Sequence, residues 1–302
     1  MRVAAIDIGT NTTLLLVAAP DDRGVLRPLR EIATITRLGE GVDVARKLAP
    51  AAIERTNACL AKYAEITREL GVERVGVVGT SAMRDAGGGE EIRAKVRELF
   101  GVEARTISGE EEARLTFDGA TGGLSIGESV TVFDIGGGST ELVVAERGSI
   151  IASKSFDVGS VRLTERHGED RAAITRAIEA AFATDEKVWS GSGDIVGIAG
   201  TVTTLAAVAL SMDPYDGARV HGHVMTRAEL AEVVERLAAM PFEERKKARG
   251  LEPKRADVIV AGGLIALAVM DRLEAKSIVV SDRGVRWGLA EELAKDRTSR
   301  SP

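Results

Sequence analysis

One phrase occurs twice in this chain. Asp7-Ile8-Gly9-Thr10-Asn11-Thr12-Thr13-Leu14-Leu15-Leu16-Val17 returns as Asp134-Ile135-Gly136-Gly137-Gly138-Ser139-Thr140-Glu141-Leu142-Val143-Val144. Aligned without a gap, the Asp, Ile, Gly, the Thr six residues after the Asp, the central Leu and the final Val coincide. Each copy follows an apolar run, at 3–6 and 130–133, and leads into another, so each reads as strand, tight polar turn, strand. Such a β-hairpin carries chemistry at its tip. Glycine lets the backbone approach an anion, hydroxyl and N–H groups donate to it, and an Asp at the end of a buried strand can hold a divalent cation. Two such hairpins facing one another would grip a phosphorylated ligand from both sides. A pair of ordinary hairpins whose Asp residues only cap the turns is the other reading, and a second matching copy counts against it.

A length of 302 residues favours two domains and leaves room for a core in each. Aromatic residues are 3% of the chain, which leaves few stacking platforms and argues against a nucleic-acid partner. The formal net charge of −6 gives no global attraction for polyanions, so an anionic substrate must be drawn in by a local basic cleft. One cysteine, Cys59, excludes an intramolecular disulfide, and one cysteine with three histidines argues against a zinc cage. Any metal is expected to be hard and oxygen-bound. No charged leader precedes the first apolar run, and no apolar stretch approaches the roughly 18 residues of a membrane span. A soluble cytoplasmic protein with no membrane partner is expected.

The pattern beyond the first hairpin alternates strands with helices. It predicts a third strand over 25–38, a helix over 51–70 stopped by Gly71, a strand over 75–78, a helix over 90–100 and a strand over 102–107. After the second hairpin it predicts a strand over 149–156, helices over 171–188, 202–211, 227–239, 255–273 and 284–294, and strands over 195–199 and 277–280. The second half repeats the order of the first. Two similar α/β lobes with a cleft between them follow, divided as 1–124 and 125–302, with the last helix, about 284–295, free to return to the first lobe. The segment 120–127 is the expected hinge, and the tail 295–302 is expected to fray.

Ser108-Gly109-Glu110-Glu111-Glu112-Ala113-Arg114-Leu115 opens a helix. Ser108 and Glu111 fit a capping box, and Glu110 suits the positive end of the helix dipole. Glu112 lies about 100° further round the helix, at the junction of the two repeats. A carboxylate there, close to bound phosphate, is suited to take a proton from an attacking water; by spacing alone the default is a third solvated acid in an acidic first turn. Arg84, in Thr80-Ser81-Ala82-Met83-Arg84-Asp85, follows a buried strand and suits a phosphate, or else pairs with Asp85 at the surface. Gly200 and Thr201 sit where a strand turns into a helix start, an anion site or a plain N-cap. Arg162 with His167 nearby is a further candidate for the cleft. Arg245, Lys246, Lys247, Arg249, Lys254 and Arg255 form a positive run that is by default a solvated face, and in the sharper reading a track for a phosphate chain.

These segments, with Ser281-Asp282-Arg283-Gly284, occur in the order seen in exopolyphosphatase / guanosine pentaphosphate phosphohydrolase (Ppx/GppA) proteins, which the chain resembles along nearly its whole length. The resemblance implies two actin, sugar-kinase and heat-shock-chaperone-like lobes of ribonuclease H-like type. It also implies hydrolysis of a terminal phosphoanhydride with Mg²⁺ or Mn²⁺. It makes Glu112 the base, Asp134 and Glu141, with Asp7 of the matching hairpin, the metal residues, and Arg84 a phosphate clamp. Thr10, Asn11, Thr12, Gly136, Gly137, Gly138 and Ser139 become phosphate cradles, joined by Gly200 and Thr201. The expected substrate is inorganic polyphosphate, short chains above all, or the guanosine alarmone pppGpp, and the expected assembly is a homodimer. Family members often carry a basic residue where Leu14 stands and an Asn where Gly87-Gly88-Gly89 stands, and long members continue into further helical domains. An ATP-dependent kinase or ATPase, or a non-catalytic polyphosphate or alarmone sensor, would use the same fold.

Overall fold

The computed structural model describes residues 1–184, 186–191 and 193–295; the tail 296–302 and the side chains of Asp43, Val44, Asp85 and Glu186 lie outside the described residues. Two compact units emerge. The first is Met1–Gly119 and takes in the chain again from Val285; the second is Ala120–Gly284. The last helix, Val285–Lys295, grouped with residues 125–302 on sequence, thus belongs to the first unit. The cause is its apolar stripe, in which Trp287, Leu289 and Ala290 pack with Val3, Ala5, Leu16 and Val78.

The first unit is built on β1 (Val3–Ile8), β2 (Thr12–Pro20), β3 (Leu26–Ile35), β4 (Arg74–Gly79) and β5 (Ala104–Thr106), ordered β3-β2-β1-β4-β5. The β1–β2 and β2–β3 pairs are antiparallel, and the β1–β4 and β4–β5 pairs are parallel. Every residue of β1 is buried, as expected for a central strand covered on both faces. Ala4, Ile6 and Ile8 enter one core with Leu60 and Tyr63 of helix Pro50–Glu69 and Ile92 and Val96 of helix Glu90–Phe100. Val3 and Ala5 enter the opposite core, closed by Leu115 of helix Gly109–Thr121 and by the last helix. The two-residue period of a strand carries Asp7 onto this second face.

The second unit contains β6 (Ser129–Ile135), β7 (Thr140–Glu146), β8 (Ser149–Phe156), β9 (Asp194–Ile198), β10 (Val224–Thr226) and β11 (Ser277–Val280). Their order is β10-β11-β9-β6-β7-β8. Apart from β10, added antiparallel at one edge, the order β8-β7-β6-β9-β11 repeats that of the first sheet, with the same strand senses. The ribonuclease H-like arrangement is therefore present twice. The repeated phrase has one geometry in both copies: Gly9 N–H donates to the Thr12 carbonyl at 3.1 Å, and Gly136 N–H to the Ser139 carbonyl at 3.0 Å.

Sequence reading missed β10, whose three residues are too few to show a period. The helix predicted over 171–188 ends at Phe182, whose ring packs with Phe156 and Trp189 at centroid distances of 5.0 and 4.9 Å.

Candidate active site

In the first unit the carboxyl ends of three parallel strands deliver the candidate residues. β1 ends in Asp7 and Ile8. β4 leads through Thr80 into the short helix Ser81–Asp85, which carries Arg84, and β5 leads through Ile107 and Ser108 into helix Gly109–Thr121, which carries Glu112. Ser108 Oγ accepts from Glu111 N–H at 3.1 Å, half of the expected capping box, while the Glu111 carboxylate meets Arg105 Nη1 at 3.1 Å instead of reaching back. That helix start turns Glu112 inward, where it is 8% exposed. Arg84 Nη1 donates to Glu112 Oε2 at 2.8 Å and to the Ile107 carbonyl at 3.1 Å. Two residues expected in separate roles thus form one charge-assisted pair.

Asp7 is the second buried acid of this unit, 8% exposed, and its Oδ1 has no hydrogen-bond partner among the described residues. Burial first, and the charge of Glu112 second, push its pKa up to about 7, against an opposing pull from Arg286. The next turn is braced from behind. The Asn11 carbonyl accepts from Thr36 N–H (3.1 Å) and Arg37 N–H (2.9 Å), and the Thr10 carbonyl accepts from Gly39 N–H (2.8 Å). Arg55 Nε holds this bracing loop by donating to the Thr36 carbonyl at 2.9 Å. Among the described residues no protein acceptor meets the N–H groups of Thr10 and Asn11, and Asn11 Oδ1 is buried without a partner. Backbone donors left over at a turn are what an anion uses.

The second unit presents the matching turn. Asp134 and Glu141 stand opposite each other on β6 and β7, and Glu141 stands opposite Ser155 on β8, so the three share one row and one face. Ser155 Oγ donates to Glu141 Oε1 at 2.7 Å. The carbonyls of Gly136, Gly137 and Gly138 point to the start of helix Ser160–His167. The first accepts from Ser160 N–H (3.0 Å), the second from Val161 N–H (2.9 Å) and Arg162 N–H (3.0 Å), the third from Arg162 Nε (2.6 Å). Gly159 has to be glycine here, since a β-carbon would fall on the backbone of Gly137 and Gly138. With the carbonyls engaged, the N–H groups of Gly137, Gly138 and Ser139 meet no protein acceptor among the described residues.

Other candidates have structural engagements. Thr201 Oγ1 donates to the Ile135 carbonyl at 3.1 Å, and a β-carbon on Gly200 would collide with the Arg255 guanidinium, so this segment offers a ligand its backbone rather than its hydroxyl. Next to it Ala199 adopts φ +65°, a left-handed conformation that costs a non-glycine residue energy and is concentrated at functional turns. Arg245 is a correction to the solvated face: it is 3% exposed and donates to the carbonyls of Leu237 (2.8 Å), Ala256 (3.0 Å) and Met240 (3.2 Å) and to Glu169 Oε1 (2.8 Å). Arg286 was missed by sequence reading. It stands on the last helix, pairs with Glu31 at 2.9 Å and acts on Asp7 through its charge. Its one signal was its place just after Ser281-Asp282-Arg283-Gly284.

Among the described residues no group of three or more His, Cys, Asp or Glu side chains could hold a metal ion by itself. The donors are two buried carboxylates in the first unit and the Asp134–Glu141 pair in the second. Taken unit by unit, the unpartnered Asp7 Oδ1 in the first and the carboxylate pair in the second are oxygen donors of the kind that suits Mg²⁺ or Mn²⁺, which take one or two carboxylates and complete their shell with water and phosphate oxygens. Zinc, which favours nitrogen and sulfur, does not fit.

Similar sequences and a similar fold are found in known proteins. An exopolyphosphatase 2 of Mycobacterium tuberculosis is 39% identical, over 97% of this chain and 98% of its own length. A guanosine-5'-triphosphate,3'-diphosphate pyrophosphatase of Vibrio atlanticus is 32% identical, over 97% of this chain but 59% of its own length. A solved Ppx/GppA family member of Aquifex aeolicus superposes with a TM-score of 0.78 at 34% identity, covering 98% of each chain. The sequence profile of the Ppx/GppA phosphatase family matches residues 16–296. With both hairpins, the Arg84–Glu112 pair and this match in hand, the chain belongs to the Ppx/GppA phosphatase family.

Proposed function

We propose that this protein is a divalent-cation-dependent exopolyphosphatase that releases orthophosphate from the end of inorganic polyphosphate, preferring short chains. The observation that carries the reading is the pair of half-buried Arg84 with buried Glu112, together with buried Asp7, whose Oδ1 has no partner among the described residues. A carboxylate at that place can deprotonate water, an arginine can neutralise phosphoryl charge, and a second carboxylate is left for a cation. Phosphoryl transfer demands chiefly positioning and charge neutralisation. In the first unit Glu112 orients and deprotonates the attacking water, Arg84 and the turn N–H groups of Thr10 and Asn11 take phosphate oxygens, and Asp7 would hold a cation; in the second, the turn N–H groups of 137–139 take phosphate oxygens, and Asp134 and Glu141 would hold a cation. When bound, Mg²⁺ or Mn²⁺ would neutralise phosphate charge as a Lewis acid. The cytoplasm and a homodimer belong to the same proposal on family resemblance alone.

The 39% identity to the exopolyphosphatase relative, against 32% to the guanosine one, supports polyphosphate over the second reading, removal of a 5′ phosphate from pppGpp, which the guanosine relatives favour. Phosphate release from long polyphosphate, short polyphosphate, pppGpp and ATP, measured in parallel with Mg²⁺, separates them. Fastest release from short polyphosphate is expected; release from pppGpp alone would move the protein to alarmone hydrolysis, and phosphate transfer from ATP to an added acceptor would make it a kinase. Tight binding of any of them with no release would make it a sensor.

Arg84→Ala is expected to raise KM about tenfold or more, the loss of a charge-assisted hydrogen bond to phosphate. It should also lower kcat, because Glu112 keeps its buried place without its cation. Steady-state kinetics check this, and an unchanged KM would show Arg84 to be a holder of Glu112 and not a clamp.

A further inference from the structure

Helix Val285–Lys295 supplies no residue to the proposed proton transfer, yet it meets the helix of Glu112 at backbone level. At Gly288 a β-carbon would fall on the Leu115 carbonyl oxygen, 2.8 Å from the carbonyl carbon and 2.9 Å from Cα. The two backbones therefore approach more closely than any side chain allows. Leu115 follows Glu112 by about one helical turn. Further along, Glu292 grips Arg114 of the same helix at 2.8 Å and Arg105 of β5 at 3.2 Å.

From this contact we infer that Gly288 is a positioning residue, which sets the depth of helix Gly109–Thr121 and so the place of Glu112 against Arg84 and the Ile107 carbonyl. The inference rests on Glu112 being the base. A side chain at 288 meets backbone, which cannot swing aside as a flexible side chain would. The helix has to lift, and Glu112 lifts with it, while Asp7 stays on β1 and Arg84 on the short helix that follows β4. Misplacing a reacting group by about 1 Å costs up to ~10²-fold in rate.

The test places Gly288→Ala in the native chain and in Glu112→Gln, with phosphate release from short polyphosphate in Mg²⁺ and thermal unfolding measured on all four proteins. In the native chain the expected result is a fall in kcat of about 30-fold or more at a KM within about threefold. In Glu112→Gln the same substitution should change kcat by less than about threefold, because a displaced base and an absent base are one loss. A purely structural role would cost the same in both backgrounds and overturns the inference, as does a folded Gly288→Ala whose kcat matches the native chain. If Gly288→Ala does not fold, Glu292→Gln loosens the same pair of helices from the surface. It should lower kcat about threefold in the native chain and not at all in Glu112→Gln, and equal effects in both overturn the inference. A Glu112→Gln protein that turns over like the native one overturns the base assignment and the positioning role with it, whereas a failed double-mutant cycle alone leaves the base assignment standing.

Discussion

Glu112→Gln is expected to lower kcat by ~10²-fold or more while KM and Tm stay close to those of the native protein. Glutamine keeps the shape of the side chain and an oxygen for Arg84 Nη1 to donate to, so the 2.8 Å contact and the packing of helix Gly109–Thr121 survive. What disappears is the basic oxygen that takes a proton from water. Loss of the Arg84 ion pair also removes one unit of charge from a site where Asp7 feels that charge, which lowers the pKa of Asp7 in the variant. Turnover within a few-fold of the native protein would mean that Glu112 is not the base.

Asp7→Asn should abolish most turnover and, in the metal-free protein, raise stability above neutral pH. The sign follows from proton binding. With its pKa pushed up from the usual 3.8 to about 7, Asp7 holds a proton in the folded state that it has already released in the unfolded state across that interval. Stability contributed by this group therefore falls as pH rises from about 4 to about 7, and above that the fold carries a buried charge, a penalty on the order of 4 kcal/mol. Asparagine has no such dependence. The Tm of the variant should exceed that of the native protein at pH 8 in the presence of a chelator, with the gap closing towards pH 4. Mg²⁺ should raise the native Tm and leave the variant's unchanged. Parallel Tm profiles for the two proteins would contradict a buried, cation-seeking Asp7.

The parts of this molecule that were legible in its sequence are those where a local pattern has one physical solution. The doubled hairpin is the best case: a strand period, glycines at the turn and a repeated Asp led to two turns that share one hydrogen bond, Gly9 to Thr12 and Gly136 to Ser139. Two similar α/β units followed from strands alternating with helices, whereas the order of the strands within each sheet came only with the structure. What the pattern left open depended on partners far away in the chain. Nothing local distinguishes Arg245, buried against three carbonyls, from the half-buried Lys246 next to it, which pairs with Glu243. Nothing near Glu111 announces that Arg105 will draw its carboxylate away from the cap. Arg286 and Gly288 gain their meaning only when the last helix lies against β1 and helix Gly109–Thr121, a return across most of the chain that no period records. The Arg84–Glu112 pair belongs to the same kind: each residue was visible, and their meeting was not.

Turnover of short polyphosphate in ¹⁸O-labelled water, by the native protein and by Glu112→Gln, tests the central claim most directly, that Glu112 directs water at the terminal phosphorus. The account predicts one solvent oxygen in each orthophosphate released by the native protein, and almost no labelled phosphate from Glu112→Gln over the same time. Label left on the shortened chain, phosphate delivered to another acceptor, or a variant that releases labelled phosphate at the native rate would contradict it.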